Sequence, residues 1–450
     1  AAFFWPRTAD APPPPTTATL RALAAGLPVP TVTVATVDAL ATRHGFLHWD
    51  HVFPDVRAAG GFDVVLGNPP FLNQLERDTV ASRPAAALQR ARFGDTVGAY
   101  TDTAALLLLQ GARLLRPGGR LGMVQPQSTL AAKDARGVRA ALATLAPPTH
   151  VWWAGAHVFA GISVYVAALV LRRAPPATVH RAHGPDFAPL PDLPADTVLP
   201  ESWTPLVADA LGAPAVHLRG PGRLADLCRA TADFRDEYYG LVPFVLDRRD
   251  ADEDRFPRLV LTGHVDPARS WWGDRPVRFG RKAWEAPRVD LAALEAEGSL
   301  AAWAAARRVP KLLLATQTRV LEAVADPDGR WLTTTPTVTV LPAPDALWRV
   351  AAVLLGPPAS AWALAHYGAA ALAAGAIKLA ARQVEAIPTP SDDAAWHDAA
   401  TRVAAAHAAT DPAAARAHLE AAAALTVRAY GADPALVTWW RGRLPSIEAR

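Results

Sequence analysis

Apolar residues fall in short runs along the first part of the chain. Gly61-Phe-Asp-Val-Val-Leu66 is a short continuous run, which predicts a parallel strand buried on both faces. Arg120–Val124, Val151–Trp153 and Val164–Leu171 predict three further strands. Between the first two, Asp102–Leu115 predicts a helix. Asp102 can cap it, Ala104–Leu109 is apolar, Arg113 and Arg116 suit its C-terminal end, and Pro117-Gly118-Gly119 stops it. Lys133–Leu145 predicts a second helix with basic residues on one side. Short apolar strands alternating with helices indicate an α/β domain with a mostly parallel sheet. Upstream, residues 7–30 contain the run Pro12–Pro15 and read as a loop or docking segment with one short helix around Leu20–Ala25. Residues 31–44 read as a strand, Thr31–Val34, followed by a helix.

The texture changes after residue 173. Eight prolines between 174 and 206 mark a boundary or crossing segment. Residues 207–395 mix short strands (Leu259–Leu261, Lys311–Ala315, Thr335–Leu341) with tryptophans and scattered arginines, and residues 396–450 return to alanine-rich helix. Ala361–Ala381 is apolar but mostly alanine and carries His366 and Lys378, so it reads as a buried or amphipathic helix pair rather than a membrane span. No internal repeat of fixed period is present.

Composition narrows the classes. The chain has 450 residues, enough for two or three domains with cores of their own. A net charge of +3 is too small to establish nucleic-acid binding, so any such argument must come from local clusters. Cys228 is the single cysteine, which excludes a disulfide scaffold and a cysteine-based zinc site and suits a reducing compartment. It reads as a small packed residue in a helix Arg223–Arg229. No secretory signal opens the chain. The basic side is almost all arginine, with lysine only at Lys133, Lys282, Lys311 and Lys378, and asparagine occurs only at Asn68 and Asn73.

That scarcity of asparagine matters at one place. Asn68-Pro69-Pro70-Phe71 follows directly on the first predicted strand, and open α/β sheets bind ligands at the carboxyl ends of their strands. The two prolines fix the backbone and remove two N–H donors, so neighbouring carbonyls stay free to accept. Asn68 adds a side-chain carbonyl, and Phe71 a flat apolar face. An exocyclic amine on a planar ring needs this set: two acceptors for its N–H bonds and a ring to stack on the base. Asn-Pro and Pro-Pro are also ordinary turn signals. The buried strand in front, Gly67 and the rarity of asparagine favour the catalytic reading.

Asn-Pro-Pro-Phe resembles the catalytic motif of amino-group methyltransferases that use S-adenosylmethionine. The wider stretch, Phe46-Leu-His-Trp49, Phe53-Pro54 and Gly61–Phe71, is similar to adenine-N6 DNA methyltransferases of the large single-chain restriction-modification and phage-defence type. Asp102 with Leu114–Arg120, Leu121–Pro126 and Val158–Val166 look like later segments of that family, and Arg258–His264, Lys311–Ala315, Asp326–Val340 and Ala386–Pro390 look like its target-recognition domain. The fold the resemblance implies is α/β: an incomplete Rossmann-like class I methyltransferase sheet, a mixed α/β target-recognition domain and C-terminal helices. The boundaries expected are a linking segment over 1–45, the catalytic half over 46–175, DNA recognition over 206–395 and a helical segment over 396–450.

The function implied is methylation of adenine N6 in specific duplex DNA sequences, with base flipping and S-adenosylmethionine as cofactor. Asn68, Pro69, Pro70 and Phe71 are then catalytic, and Phe159 and Tyr165 wall the base pocket, although each is as readily a core aromatic. The glycine-rich cofactor loop of the family has no counterpart in residues 1–60, so the cofactor half is expected upstream of Ala1, with only the neighbourhood of Asp63 contributing here, and this chain alone is expected to be inactive or nearly so. Expected partners are duplex DNA and other defence-system subunits, with no membrane, no metal and no nuclease core, in the cytoplasm at the nucleoid.

For DNA, the sequence offers arginines interleaved with tryptophans: Arg269, Trp271, Trp272, Arg275, Arg278, Arg281 and Lys282, with Lys311 and Arg319 as further candidates. The plain alternative is an exposed hairpin with solvated charges and a packed tryptophan pair. Arg248 and Arg249, set among five acids, read as ion-paired surface, and His44, His48 and His51 as solvated loop residues. Two other functions fit the motif or the length: a protein-glutamine or RNA amino-methyltransferase, and a non-catalytic DNA-specificity module or scaffold.

Overall fold

The computed structural model describes residues 4–6, 10–71, 83–98, 100–159, 164–232, 235–371, 373 and 375–446. They form two compact units. One comprises Ala1–Thr129, Lys133–Trp152 and Val166–Glu201; the other comprises Leu130–Ala132, Trp153–Tyr165 and Ser202–Arg450.

The first unit holds a six-stranded sheet of β1 (Phe62–Gly67), β2 (Leu115–Pro126), β3 (Pro148–Trp153), β4 (Val166–Arg172), β5 (Val179–His183) and β6 (Ala188–Leu193), in the order β1-β2-β4-β3-β5-β6. β1 runs parallel to β2, with Val64 opposite Arg120 and Gly67 opposite Met123. β2 and β4 are antiparallel, as are β5 and β6, so the sheet is mixed rather than mostly parallel. The α/β class read from the sequence stands. The helix expected between the first two strands is Thr103–Arg113, with the Asp102 carboxylate accepting from Ala104 N–H at 2.8 Å. Its Leu106, Leu108 and Leu109 are buried, each worth about 2 kcal/mol of apolar transfer. It lies close on the sheet because Gly111 leaves room: a Cβ there would stand 2.7 Å from Leu121 Cδ1.

Three expectations are corrected in this unit. β1 is not buried on both faces. Among the described strands it lies at the edge of the sheet, and Val64 and Leu66 are 57% and 78% exposed. Thr31–His44 is one helix, with no strand at Thr31–Val34. Its β-branched residues suggested extended chain, but Pro30 precedes it and Gly45 ends it in the left-handed conformation, both ordinary helix punctuation. The proline-rich segment is partly regular, since β5 and β6 form a hairpin that extends the sheet. Pro189 and Pro191 sit on the terminal strand at alternate positions, where missing donors cost no ladder bonds.

The second unit is built on an antiparallel sheet of β7 (Cys228–Ala232), β10 (Lys311–Leu314), β11 (Ala323–Asp326) and β12 (Val338–Pro342), in the order β11-β10-β12-β7. Among the shorter strands that lie between in sequence, β8 (Val277–Phe279) and β9 (Lys282–Trp284) pair with each other. One core cluster joins the sheet to helices Leu347–Leu354, Pro357–Tyr367, Asp393–Ala408 and Pro412–Tyr430. Asp392 and Asp411 cap the last two, as the helical reading of the C-terminal segment requires. Cys228 begins a strand instead of lying in a helix. It is a packed residue as expected, donating to Leu224 O, and burial pushes its thiol up to about 12. Among the described residues no single helix is long and apolar enough to cross a membrane.

Candidate functional site

Asn68 stands at the carboxyl end of β1. Gly67 just before it lies against Met123 of β2, whose Cε would be 3.1 Å from a Cβ at that position. Asn68 and Pro70 are exposed, Pro69 and Phe71 half-buried. Among the described residues nothing engages the Asn68 amide. A cavity of about 450 Å³ opens beside the motif, lined by Trp49, Val64, Leu66, Asn68, Leu107 and Met123 among others. Apolar walls with one free amide at the rim suit a flat heterocycle whose polar edge meets Asn68. The sequence pointed to Asn68–Phe71 but not to Trp49, Leu107 or Met123, which the fold brings there from other elements.

S-adenosylmethionine carries a ribose diol and a charged amino-acid end, and the described residues around the cavity do not fit it. Asn68 and Gln110 are the polar side chains of the lining, and Gln110 Oε1 already accepts from Arg92 Nε at 3.0 Å. The acid on β1, Asp63, ion-pairs with Arg116 on β2 through one carboxylate oxygen and is not among the residues lining the cavity. Phe159 and Tyr165 are half-buried and group with the second unit; the Tyr165 ring packs 4.5 Å from that of His157. Ala160–Ser163, part of the same expected motif, lies outside the described residues.

The expected DNA-facing residues divide into structural and exposed groups. Trp271 is buried and donates through Nε1 to Asp266 Oδ2 at 2.6 Å, while Arg275 forks onto both oxygens of the same carboxylate at 3.0 Å. Arg269 lies over the Trp271 ring at 3.8 Å. Trp272 donates to Pro287 O and is covered by Arg258 and Arg288. Asp266 is the partner the sequence reading missed, and it turns this part of the cluster into packing. Lys311 is removed as a DNA contact, because it is fully buried and ion-paired with Asp326. Arg319, Arg278, Arg281 and Lys282 are exposed. Arg249 does ion-pair, but with Asp274 instead of the neighbouring acids, and Arg248 covers the Phe256 ring. His51 lies in the short helix Trp49–Val52 and His44 ends the helix before it, so of the three histidines only His48 lies in the connecting segment, as expected.

With the geometry in place, residues 33–151 match the model of the Eco57I restriction-modification methylase family. No curated protein matches the sequence. Among solved structures, the chain is similar to the Type IIL restriction-modification enzyme MmeI in complex with DNA, with a TM-score of 0.53 and 11% identity over 87% of this chain and 57% of that one. It also aligns with the type IIG restriction endonuclease BpuSI (TM-score 0.31, 11% identity, 82% and 54% covered). A nuclease-deletion mutant of the Type ISP enzyme LlaGI bound to a DNA substrate mimic gives 0.44 at 10% identity, with 80% and 42% covered. The chain thus spans little more than half the length of MmeI, and that likeness is one of fold. The Asn68–Phe71 motif and the sheet edge that carries it lie inside the matched segment, so the likeness to the Eco57I restriction-modification methylase family covers the candidate site.

Proposed function

We propose that this chain carries the target-amine site and the DNA-reading part of a restriction-modification methyltransferase acting on adenine N6 in duplex DNA. S-adenosylmethionine is the methyl donor we assign to it. One observation carries the reading: Asn68-Pro69-Pro70-Phe71 stands at the end of a parallel strand, inside the matched segment, with the Asn68 amide exposed and unengaged among the described residues.

The target nitrogen is buried in the base stack, so the base is flipped out before reaction. Asn68 Oδ1 and the Pro69 carbonyl accept the two N–H bonds of the amine, which turns its lone pair away from the ring plane. Phe71 stacks on the purine. None of Asn68, Pro69, Pro70 and Phe71 is a base, so a proton given up by the amine would pass to water. Phe159 and Tyr165 remain our candidates for the pocket wall, with 46–175 as the catalytic half, 206–395 as the DNA reader and 396–450 as a helical extension. The edge of β1, unpaired among the described strands, supports a further strand-bearing segment that completes the sheet and supplies the cofactor shell the described residues lack.

The test is labelled methyl transfer to duplex DNA by the full-length protein and its Asn68→Ala variant. Loss of roughly 10²–10³-fold in rate, as when one preorganised polar contact to the reacting group is removed, with duplex affinity unchanged, is expected. Retained activity would take Asn68 out of the mechanism. The misfit to the cofactor favours one alternative, a DNA-specificity module without catalysis; duplex binding with no transfer in the wild-type full-length protein would establish it. Label on protein instead of adenine would support a glutamine methyltransferase.

A further inference from the structure

The turn between β8 and β9 is unusual for the residue it contains. The strands are antiparallel, with Phe279 opposite Lys282, and only Gly280 and Arg281 connect them. Their φ angles are +56° and +67°. A two-residue hairpin turn with both central residues in this region matches the twist of its strands, and glycine or asparagine normally fills it. Arginine has a Cβ that clashes there and no short polar group to recover the cost.

The turn is nevertheless held firmly. A Cβ at Gly280 would lie 2.9 Å from both methyls of Val242, and the Gly280 N–H donates to Tyr238 Oη at 3.1 Å. The Tyr238 ring packs on Phe279 with centroids 4.7 Å apart, and Trp284 Nε1 donates to Phe279 O at 2.9 Å. Phe279 itself is buried. The hairpin base is therefore anchored, while Arg278, Arg281 and Lys282 stay exposed, and no acid occurs in Val277–Trp284. A cation fixed at a rigid tip loses less freedom on contact than one on a mobile loop. A two-stranded ribbon fits the major groove of a duplex, and a guanidinium pairs with guanine O6 and N7.

We propose that Arg281 is a specificity-determining residue that reads a guanine edge in the major groove, with Arg278 and Lys282 on the flanking phosphates. The proposal rests on the duplex-DNA reading above. It gives a use to a locally disfavoured residue at an anchored tip.

The experiment is selection of bound sequences from a randomised duplex library by the full-length protein, together with salt titration of binding. Arg281→Gly relieves the backbone and is expected to melt no lower than wild type. It should lose the guanine preference at one position, by roughly 5–150-fold, with an unchanged salt slope. Arg281→Lys keeps the charge without the fork and should lose the same preference. Arg278→Ala with Lys282→Ala should keep the selected sequence, bind all duplexes more weakly, and flatten the log–log salt slope by about 0.9 per contact. An Arg281→Gly variant that keeps every base preference, or weakens all sequences alike with a flatter slope, overturns the assignment. A wild-type protein that binds no duplex overturns the DNA reading together with it.

Discussion

Asp63-Val-Val-Leu66 and Lys311-Leu-Leu-Leu314 are nearly the same phrase, one charge followed by three apolar residues. Folded, they become opposites. β10 lies between β11 and β12, all four residues are buried, and Lys311 pairs with Asp326, which also accepts from the Arg330 and Trp331 N–H groups. β1 pairs only with β2 among the described strands; Val64 and Leu66 face outward, and Asp63 and Arg116 pair in water. What separates them is the number of neighbours. A central strand converts its charge into structure, while an edge strand leaves its end free for chemistry, and Asn68 stands at such an end. The sharpest way to break this contrast is Lys311→Met. Removing one partner leaves Asp326 buried without its cation, which should cost about 4 kcal/mol in chemical denaturation. A loss under about 1 kcal/mol would mean that β10 is not the closed centre of its unit.

The apolar residues extend the comparison. Leu313 is fully buried and Leu66 is 78% exposed. Leu313→Ala should destabilise the second unit by about 3 kcal/mol, whereas Leu66→Ala in this chain should stay within about 0.5 kcal/mol. If a further segment covers the β1 edge in the full-length protein, the cost of Leu66→Ala should rise there toward that of a buried leucine. An equal effect in both contexts would count against that segment.

The same contrast explains what the sequence could show. The Asn68–Phe71 motif was legible because its signal is local, four consecutive residues after a strand. The helix capped by Asp102 and the C-terminal helices were legible for the same reason. Whether Val64 and Leu66 were covered depended on strand order, which no local pattern carries, and the run read as buried. Lys311 was counted as a basic residue because its partner is fifteen positions away on the neighbouring strand. A signal existed: Lys311-Leu-Leu-Leu and Ala323-Val-Ala-Asp326 each carry one charge, of opposite sign, at the ends that antiparallel pairing brings together. Arg275 and Trp271 were misread in the same way, through Asp266. Arg281 looked like its neighbours in the sequence, and only the backbone angle sets it apart.

The smallest expected effect asks whether the buried region also answers to acid. His264 is fully buried beside Arg275, and its Nδ1 accepts from Leu261 N–H at 3.2 Å. Burial first, and then the Arg275 charge, push the imidazole down to about 4 from an ordinary 6.5. Between those values the unfolded chain takes up a proton that the folded chain refuses. Stability is therefore full above about pH 6.5 and falls as the pH drops toward 4, by at most about 1.4 kcal/mol per pH unit from this group. His366 and His407 are also held down by burial and add to the slope. His264→Gln, which can still accept from Leu261, should flatten the curve in part, so that variant and wild type converge between pH 7 and 5. Denaturation midpoints that fall in parallel over that range would show that His264 is not a group that titrates on unfolding, and the closed region would owe its acid response to His366 and His407 instead.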